Sequence, residues 1–254
     1  MRFPTKFRRM AIPLAACFAS LSYCGVASGQ LNTVSAHVVL KKKESSKPGK
    51  NVTTPADSSN VVVWLKPLDR TAADASVAEQ SHKRLQLIQK NKSFQPHLLV
   101  VPVGSAVEFP NRDPFFHNVF SLFDGKRFDL GLYEAGATNS VRFDRVGVSF
   151  LFCNIHPEMS AVVVAVDTSY FGVSDRDGNI TIAGLPDGKY ELHVWCERGI
   201  PEDLKALTRT VTISPATRNL GSISVVENSS FSSAHKNKYG QDYTPPPSQD
   251  YSQP

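Results

Sequence analysis

The feature that most restricts the fold of this chain is a series of short apolar segments between positions 83 and 167, each ended by turn-forming residues. Turn residues such as Pro102, Gly104, Gly136 and Gly147 end or separate these segments, and no helix-length amphipathic pattern interrupts them. Strands are predicted at Leu85–Ile88, Leu98–Pro102, Ala106–Phe109, Asn118–Phe123, Ser140–Phe143, Val148–Cys153 and Ala161–Val166. The pattern predicts an all-β sandwich or barrel over residues 83–167.

The flanking regions predict further units. Residues 30–82 hold two β-rich segments, Val34–Leu40 and Asn60–Leu65, around a polar stretch, which we interpret as an N-terminal β hairpin followed by a linker. Residues 168–226 contain two Asp-Gly hairpin signals and alternating apolar positions, which predict a second small β-sandwich. Residues 227–254 are rich in Ser, Asn, Gln and Pro, and we expect a disordered tail because such a composition buries little.

The first 29 residues combine four cations, no acids, an apolar run and the small residues Ser28 and Gly29. This pattern predicts a secretory signal peptide, with a mature chain that begins near Gln30 and is periplasmic or secreted. Membrane association is expected only if Cys17 is lipidated or the segment stays uncleaved. The four cations account for most of the formal charge of +5, so the rest is near neutral and no nucleic-acid partner is expected.

One short loop carries three metal-binding side chains, Cys153, His156 and Met159. A thiolate, an imidazole and a thioether together favour copper, and the thioether argues against a structural zinc site. One loop cannot surround an ion by itself, so we expect a second imidazole from His117, which follows a turn-rich stretch at the start of a strand. His97 is interpreted as a packing or surface histidine, because the set is complete without it. One copper ion is therefore predicted.

Several motifs in the same region resemble those of the cupredoxins, the blue copper proteins. They are Phe94-x-Pro96, Val103-Gly104, the stretch from Val107-x-Phe109 to Asn111, His117-Asn118-Val119 and the Cys-x-x-His-x-x-Met loop, whose spacing is most similar to that of amicyanin-type members. The resemblance covers about a third of the chain and implies a Greek-key β-sandwich with copper at one end. It also implies that Asn118 ties the two ligand segments together.

Residues 178–195 resemble a different family, the carboxypeptidase regulatory-like (transthyretin-like) domains. This second resemblance implies a structural or adhesive role without catalysis.

The predicted ligand set leaves no open position on the metal, so we expect outer-sphere transfer of single electrons and no enzymatic activity. Pro114, Phe115, Phe116 and Pro157 are the expected docking patch for a redox partner protein in the periplasm, in a small and weak encounter. Two other functions stay open at this point. The first is a copper carrier or sensor, and the second is a metal-free β module that binds a polysaccharide or peptide. A structural alternative is a disulfide between the two cysteines left after signal cleavage, at positions 153 and 196.

Overall fold

The computed structural model describes residues 31–42, 57–69, 84–122, 125–232 and 234–243. The predicted signal peptide, most of the predicted linker and the last eleven residues of the tail lie outside these ranges. Within them, no helix is long and apolar enough to cross a membrane.

Ten strands form the first sandwich, which spans the predicted copper region. They are β3 (Leu85–Gln86), β4 (Ile88–Gln89), β5 (Phe94–Gln95), β6 (Leu98–Pro102), β7 (Ala106–Pro110), β8 (His117–Ser121), β9 (Phe128–Tyr133), β10 (Thr138–Arg142), β11 (Gly147–Phe152) and β12 (Ser160–Val166). One sheet has the order β6-β12-β11-β8-β9, and the other has the order β10-β7-β3, with β4 and β5 paired separately. Val107 and Phe109 of one sheet pack with Val119 and Leu151 of the other in a shared core. The all-β prediction is confirmed.

Seven strands and one helix form the second sandwich. They are β1 (Asn32–Lys42), β2 (Val61–Pro67), β13 (Phe171–Val173), β14 (Asn179–Leu185), β15 (Gly188–Cys196), α1 (Pro201–Ala206), β16 (Arg209–Ile213) and β17 (Asn219–Glu227). The sheets have the orders β14-β1-β17 and β13-β2-β15-β16. The hairpin interpretation of the two Asp-Gly pairs is therefore wrong, because β14 lies in one sheet and both β13 and β15 lie in the other. Alternate residues of β1 point inward, from Val34 to Leu40, as expected for a strand with one buried face.

The predicted hairpin of Val34–Leu40 with Asn60–Leu65 is wrong. β1 pairs with β14 and β17, whereas β2 lies between β13 and β15 in the opposite sheet. Both segments carry buried apolar residues, and placing them in facing sheets lets those residues share one core with partners more than a hundred positions away. The second sandwich therefore includes two strands from the N-terminal region.

A third apolar cluster joins the two sandwiches, and it explains why β12 is apolar at every position from Ala161 to Val166. Ala161 and Val163 of β12 face the first core, while Val162 and Val164 face outward against Val62 of β2. A strand covered on both faces reads as a continuous hydrophobic run. The outer face of β12 is thus buried by the second sandwich.

The predicted disorder of residues 227–254 is wrong for the part that the structure describes. β17 extends to Glu227, and residues 234–243 lie against the first sandwich beside Phe152, Cys153 and Asn154. The segment adds nothing to either core, as its composition indicates. Hydrogen bonds, an ion pair and ring stacking hold it instead, and hydrophobic patterning does not detect these contacts.

Candidate metal centre

Two histidines and a cysteine bring one donor atom each to the same point at one end of the first sandwich. The Nδ1 atoms of His117 and His156 are 3.1 Å apart. The Sγ atom of Cys153 lies 3.9 Å from the Nδ1 of His117 and 3.5 Å from that of His156. Metal–nitrogen and metal–sulfur bonds of about 2.0–2.3 Å would place such donors roughly 3–4 Å apart around one ion. The spacing therefore fits a single metal ion.

The sheet explains why these residues meet. His117 is the first residue of β8, and Cys153 directly follows the last residue of β11. Because β8 and β11 are antiparallel neighbours, the start of β8 and the end of β11 lie at the same end of the sheet. The loop after Cys153 then folds back, since Met159 donates its N–H to the carbonyl of His156 at 3.1 Å. This turn brings His156 toward His117.

Met159 is completely buried in the same core as Cys153. Burial at the end of the loop keeps its thioether away from water. Its role as the fourth ligand stays a prediction.

Asn118 connects the elements that carry the donors. Its Oδ1 accepts the backbone N–H of Asn154 at 3.3 Å, next to Cys153. Its Nδ2 donates to Asp129 at 2.7 Å and to the carbonyl of Gly131 at 2.8 Å. The side chain therefore links the start of β8 to both β9 and the ligand loop.

Sequence reasoning missed Asp113, which lies under His117. The Nε2 of His117 is 2.8 Å from Oδ2 of Asp113, and both side chains are buried. The same carboxylate accepts the backbone N–H groups of Asn91 at 2.6 Å and Lys92 at 2.9 Å. These two residues have φ angles of 55° and 50°, a left-handed turn geometry between β4 and β5 that directs both N–H groups at the carboxylate.

These hydrogen bonds fix the chemistry of Asp113 and its partner. Burial opposes ionisation, but the bonds from Lys92, His117 and Asn91 outweigh it and hold the pKa of Asp113 below its ordinary value. An ionised carboxylate accepts the Nε2–H of His117, which leaves the Nδ1 lone pair free for a metal. The tautomer that a metal needs is thus set by a neighbour.

For the other two donors, the shifts in pKa favour the neutral form. Burial raises the pKa of the Cys153 thiol, although backbone N–H groups of Ile155, Asn118 and His156 oppose that rise. Burial, followed by the nearby His117, lowers the pKa of His156. A bound cation would stabilise the thiolate directly and would accept the neutral imidazole as it stands.

The structure also tests the disulfide alternative and shows where His97 lies. Cys153 and Cys196 are both free, and they belong to the cores of different sandwiches, so the disulfide alternative is wrong. His97 lies outside the donor cluster. Its Nδ1 is 3.1 Å from the carbonyl of Ser160, and its Nε2 is 2.7 Å from Glu197 of the second sandwich.

The surface around the half-buried His156 combines apolar side chains with the exposed charges of Glu158 and Lys92. The Phe115 ring stands edge-on to both His117 and His156, with ring centroids 5.2 and 5.6 Å apart. Phe116 is 55% exposed and Ile155 is 43% exposed. Pro114 and Pro157 are exposed as well. The predicted docking residues therefore lie where a partner could approach the imidazole edge of His156.

Comparisons with known proteins give a limited result. No family model matches the chain, and no curated protein matches it. Among solved structures, a purple cupredoxin from Nitrosopumilus maritimus aligns with a TM-score of 0.30 and 26% identity, over 32% of this chain and 99% of that one. A reduced mutant of amicyanin aligns with a TM-score of 0.32 and 22% identity, over 36% and 90%.

A copper-containing nitrite reductase from Thermus scotoductus SA-01 aligns with a TM-score of 0.32 and 26% identity, over 39% of this chain and 27% of that one. All three similarities cover roughly a third of this chain. At these TM-scores, the donor geometry and not the similarity supports a function.

Proposed function

We propose that this chain is an exported copper protein that carries single electrons, with one type 1 (blue) copper ion held by His117, Cys153, His156 and Met159. The observation that carries the proposal is the meeting of two imidazole nitrogens and a thiolate sulfur at one point. Two nitrogens, one thiolate and a weak axial thioether are the donors typical of blue copper sites.

Bound copper would supply the one-electron chemistry, and the residues of this chain would control access to it. Asp113 holds the imidazole of His117 in the tautomer that presents Nδ1. Cys153 and Met159 are buried, so water and substrates cannot reach that side. His156 is the half-buried member of the set, and the apolar side chains around it suit brief contact with a redox partner protein. We propose that the chain is not an enzyme.

The second sandwich supports the first by covering the outer face of β6 and β12. Its similarity to carboxypeptidase regulatory-like domains stays a prediction, as does the signal peptide. Mass spectrometry of the exported protein should find an N-terminus close to Gln30, and a chain that starts at a lipid-modified Cys17 would contradict this.

Visible and electron paramagnetic resonance spectra of the purified protein after copper loading test the proposal. We expect an intense visible band that disappears on reduction and returns on oxidation, with one copper per chain. Reversible cycling with the ion retained supports electron transfer. Rapid loss of copper to an acceptor protein would support the carrier function instead, and failure to bind copper would support a metal-free binding module.

A further inference from the structure

The segment 234–243, here called the strap, contacts three consecutive residues at the thiolate donor. The ring of His235 stacks on Phe152, with ring centroids 4.0 Å apart and an angle of 26° between planes. The hydroxyl of Tyr243 donates to the carbonyl of Cys153 at 2.6 Å. The backbone N–H of Lys238 donates to Oδ1 of Asn154 at 3.0 Å. The strap therefore contacts Cys153 and both of its neighbours in the chain.

The hydrogen bonds at Tyr243 have a fixed direction. A backbone carbonyl can only accept, so the hydroxyl proton of Tyr243 points to Cys153. Nδ1–H of His235 then points to two acceptors, the hydroxyl oxygen of Tyr243 at 3.2 Å and the carbonyl of Lys236 at 3.3 Å. Nε2 of His235 is buried and has no hydrogen-bond partner in the described part of the chain. The imidazole is thus held by its ring contact and by Nδ1, in an orientation that fixes the Tyr243 hydroxyl.

Lys238 provides a second anchor for the strap. The ammonium group of Lys238 is 2.7 Å from Oδ2 of Asp129. The other oxygen of Asp129 accepts from Nδ2 of Asn118, whose Oδ1 accepts from the N–H of Asn154. The strap therefore joins the same network of side chains that connects the His117 strand to the Cys153 loop.

We propose that the strap is a positioning element of the copper site, in which Tyr243 and Lys238 hold the backbone of Cys153 and Asn154 and so slow the release of the metal. This inference rests on the proposed copper function. Cys153, His156 and Met159 share one seven-residue loop, so any opening of that loop displaces three donors together. Hydrogen bonds from outside the loop to its first two residues oppose that opening.

The main test compares Tyr243→Phe with Tyr239→Phe in the full chain after copper loading. The first change removes the hydroxyl that bonds Cys153 but keeps the ring. The second removes a hydroxyl from a tyrosine of the same strap that is 70% exposed. We expect Tyr243→Phe to transfer copper to an excess of a small chelator roughly three- to tenfold faster, the factor that one net hydrogen bond represents. Tyr239→Phe should release copper at the wild-type rate, and equal rates in both variants would overturn the proposal.

Hydrogen exchange of the metal-free protein separates failure of the strap from failure of the proposed function. Tyr243→Phe and Lys238→Met should each raise the exchange rates of backbone amides in residues 153–159, while Tyr239→Phe should not. If the wild type binds no copper but these rates rise, the copper function fails and the positioning of the loop stands. If the wild type binds copper and neither exchange nor release changes, the copper function stands and the strap proposal is wrong.

Discussion

The carboxylate beneath His117 offers the sharpest quantitative test of the metal centre. Replacing Asp113 with Asn keeps the size of the side chain but removes its charge. Three N–H groups point at the carboxylate, from His117, Asn91 and Lys92. An amide has one acceptor oxygen and one NH2 group, so at least one of these donors would face another donor.

The expected effect follows from that mismatch and from the lost charge. Removing a partner that supports a metal-binding histidine typically costs 10- to 100-fold in metal affinity. The negative charge favours Cu(II) over Cu(I), so we expect the loss to fall mainly on the oxidised form. A tenfold change in a one-electron equilibrium corresponds to about 59 mV, so the midpoint potential of Asp113→Asn should rise by about 60–120 mV.

Redox titration of the visible band measures this shift, and Asp144→Asn is the matched control. Asp144 is an exposed acid that pairs with Lys126, so its replacement removes the same charge without touching the donor cluster. We expect the control to keep the wild-type potential. A potential for Asp113→Asn that is unchanged, or lower, would refute the role of the carboxylate, provided that the variant still binds copper and shows the band.

Three further outcomes test other parts of the structure. Cys153→Ser should abolish the visible band, because the copper–thiolate bond produces it, whereas Cys196→Ser should keep it; equal loss in both would contradict the separate positions of these cysteines. Met159→Leu should keep the band and raise the potential, and loss of the band would make Met159 more than a weak axial donor. The hydrogen bond to Glu197, partly opposed by burial, raises the pKa of His97 in the folded protein. The His97–Glu197 pair therefore stabilises the fold fully below about pH 6.5, and this stabilisation is lost as the pH rises through the higher pKa of the folded state. Chemical denaturation between pH 6 and pH 9 should show this loss of stability, which should be below about 1 kcal/mol because the pair is partly exposed. His97→Gln should remove this pH dependence. A variant that keeps the wild-type pH dependence would assign the loss to other groups.

The donor cluster was predictable because its members stand close together in sequence or at a recognisable strand start. Cys153 and His156 share a short loop, and His117 follows a turn-rich stretch before an apolar strand. Asp113 was not predictable, because an aspartate in such a stretch is ordinarily exposed to water. Its burial depends on two backbone N–H groups from the turn at Asn91 and Lys92. Almost every residue type has a backbone N–H group, so the sequence does not show which of them donate to a side chain.

Strand pairing in the second sandwich was not predictable from nearness in sequence. β14 follows one Asp-Gly turn and precedes another, yet it pairs with β1, while β13 and β15 lie in the other sheet. β9 was missed because most of its residues are at least partly exposed and because Gly131, with φ of 68°, interrupts its pattern. The strap was missed for a related reason. It contributes hydrogen bonds and one stacked ring, and its composition is that of an unfolded segment.

The pairing of β2 with β13 changes how the two sandwiches depend on each other. Trp64 of β2 lies opposite Phe171 of β13, and the whole first sandwich is inserted between these two strands. The first sandwich therefore starts and stops at neighbouring points of one sheet, which keeps β6 and β12 against β2. Because the C-terminal strap also returns to Cys153, the metal loop is secured by residues from after the second sandwich. Removing the chain beyond β12 would expose the apolar faces of β1 and β2 and would release the carbonyl of Cys153 at the same time. The order of the chain therefore links the position of the Cys153 loop to the integrity of the second sandwich.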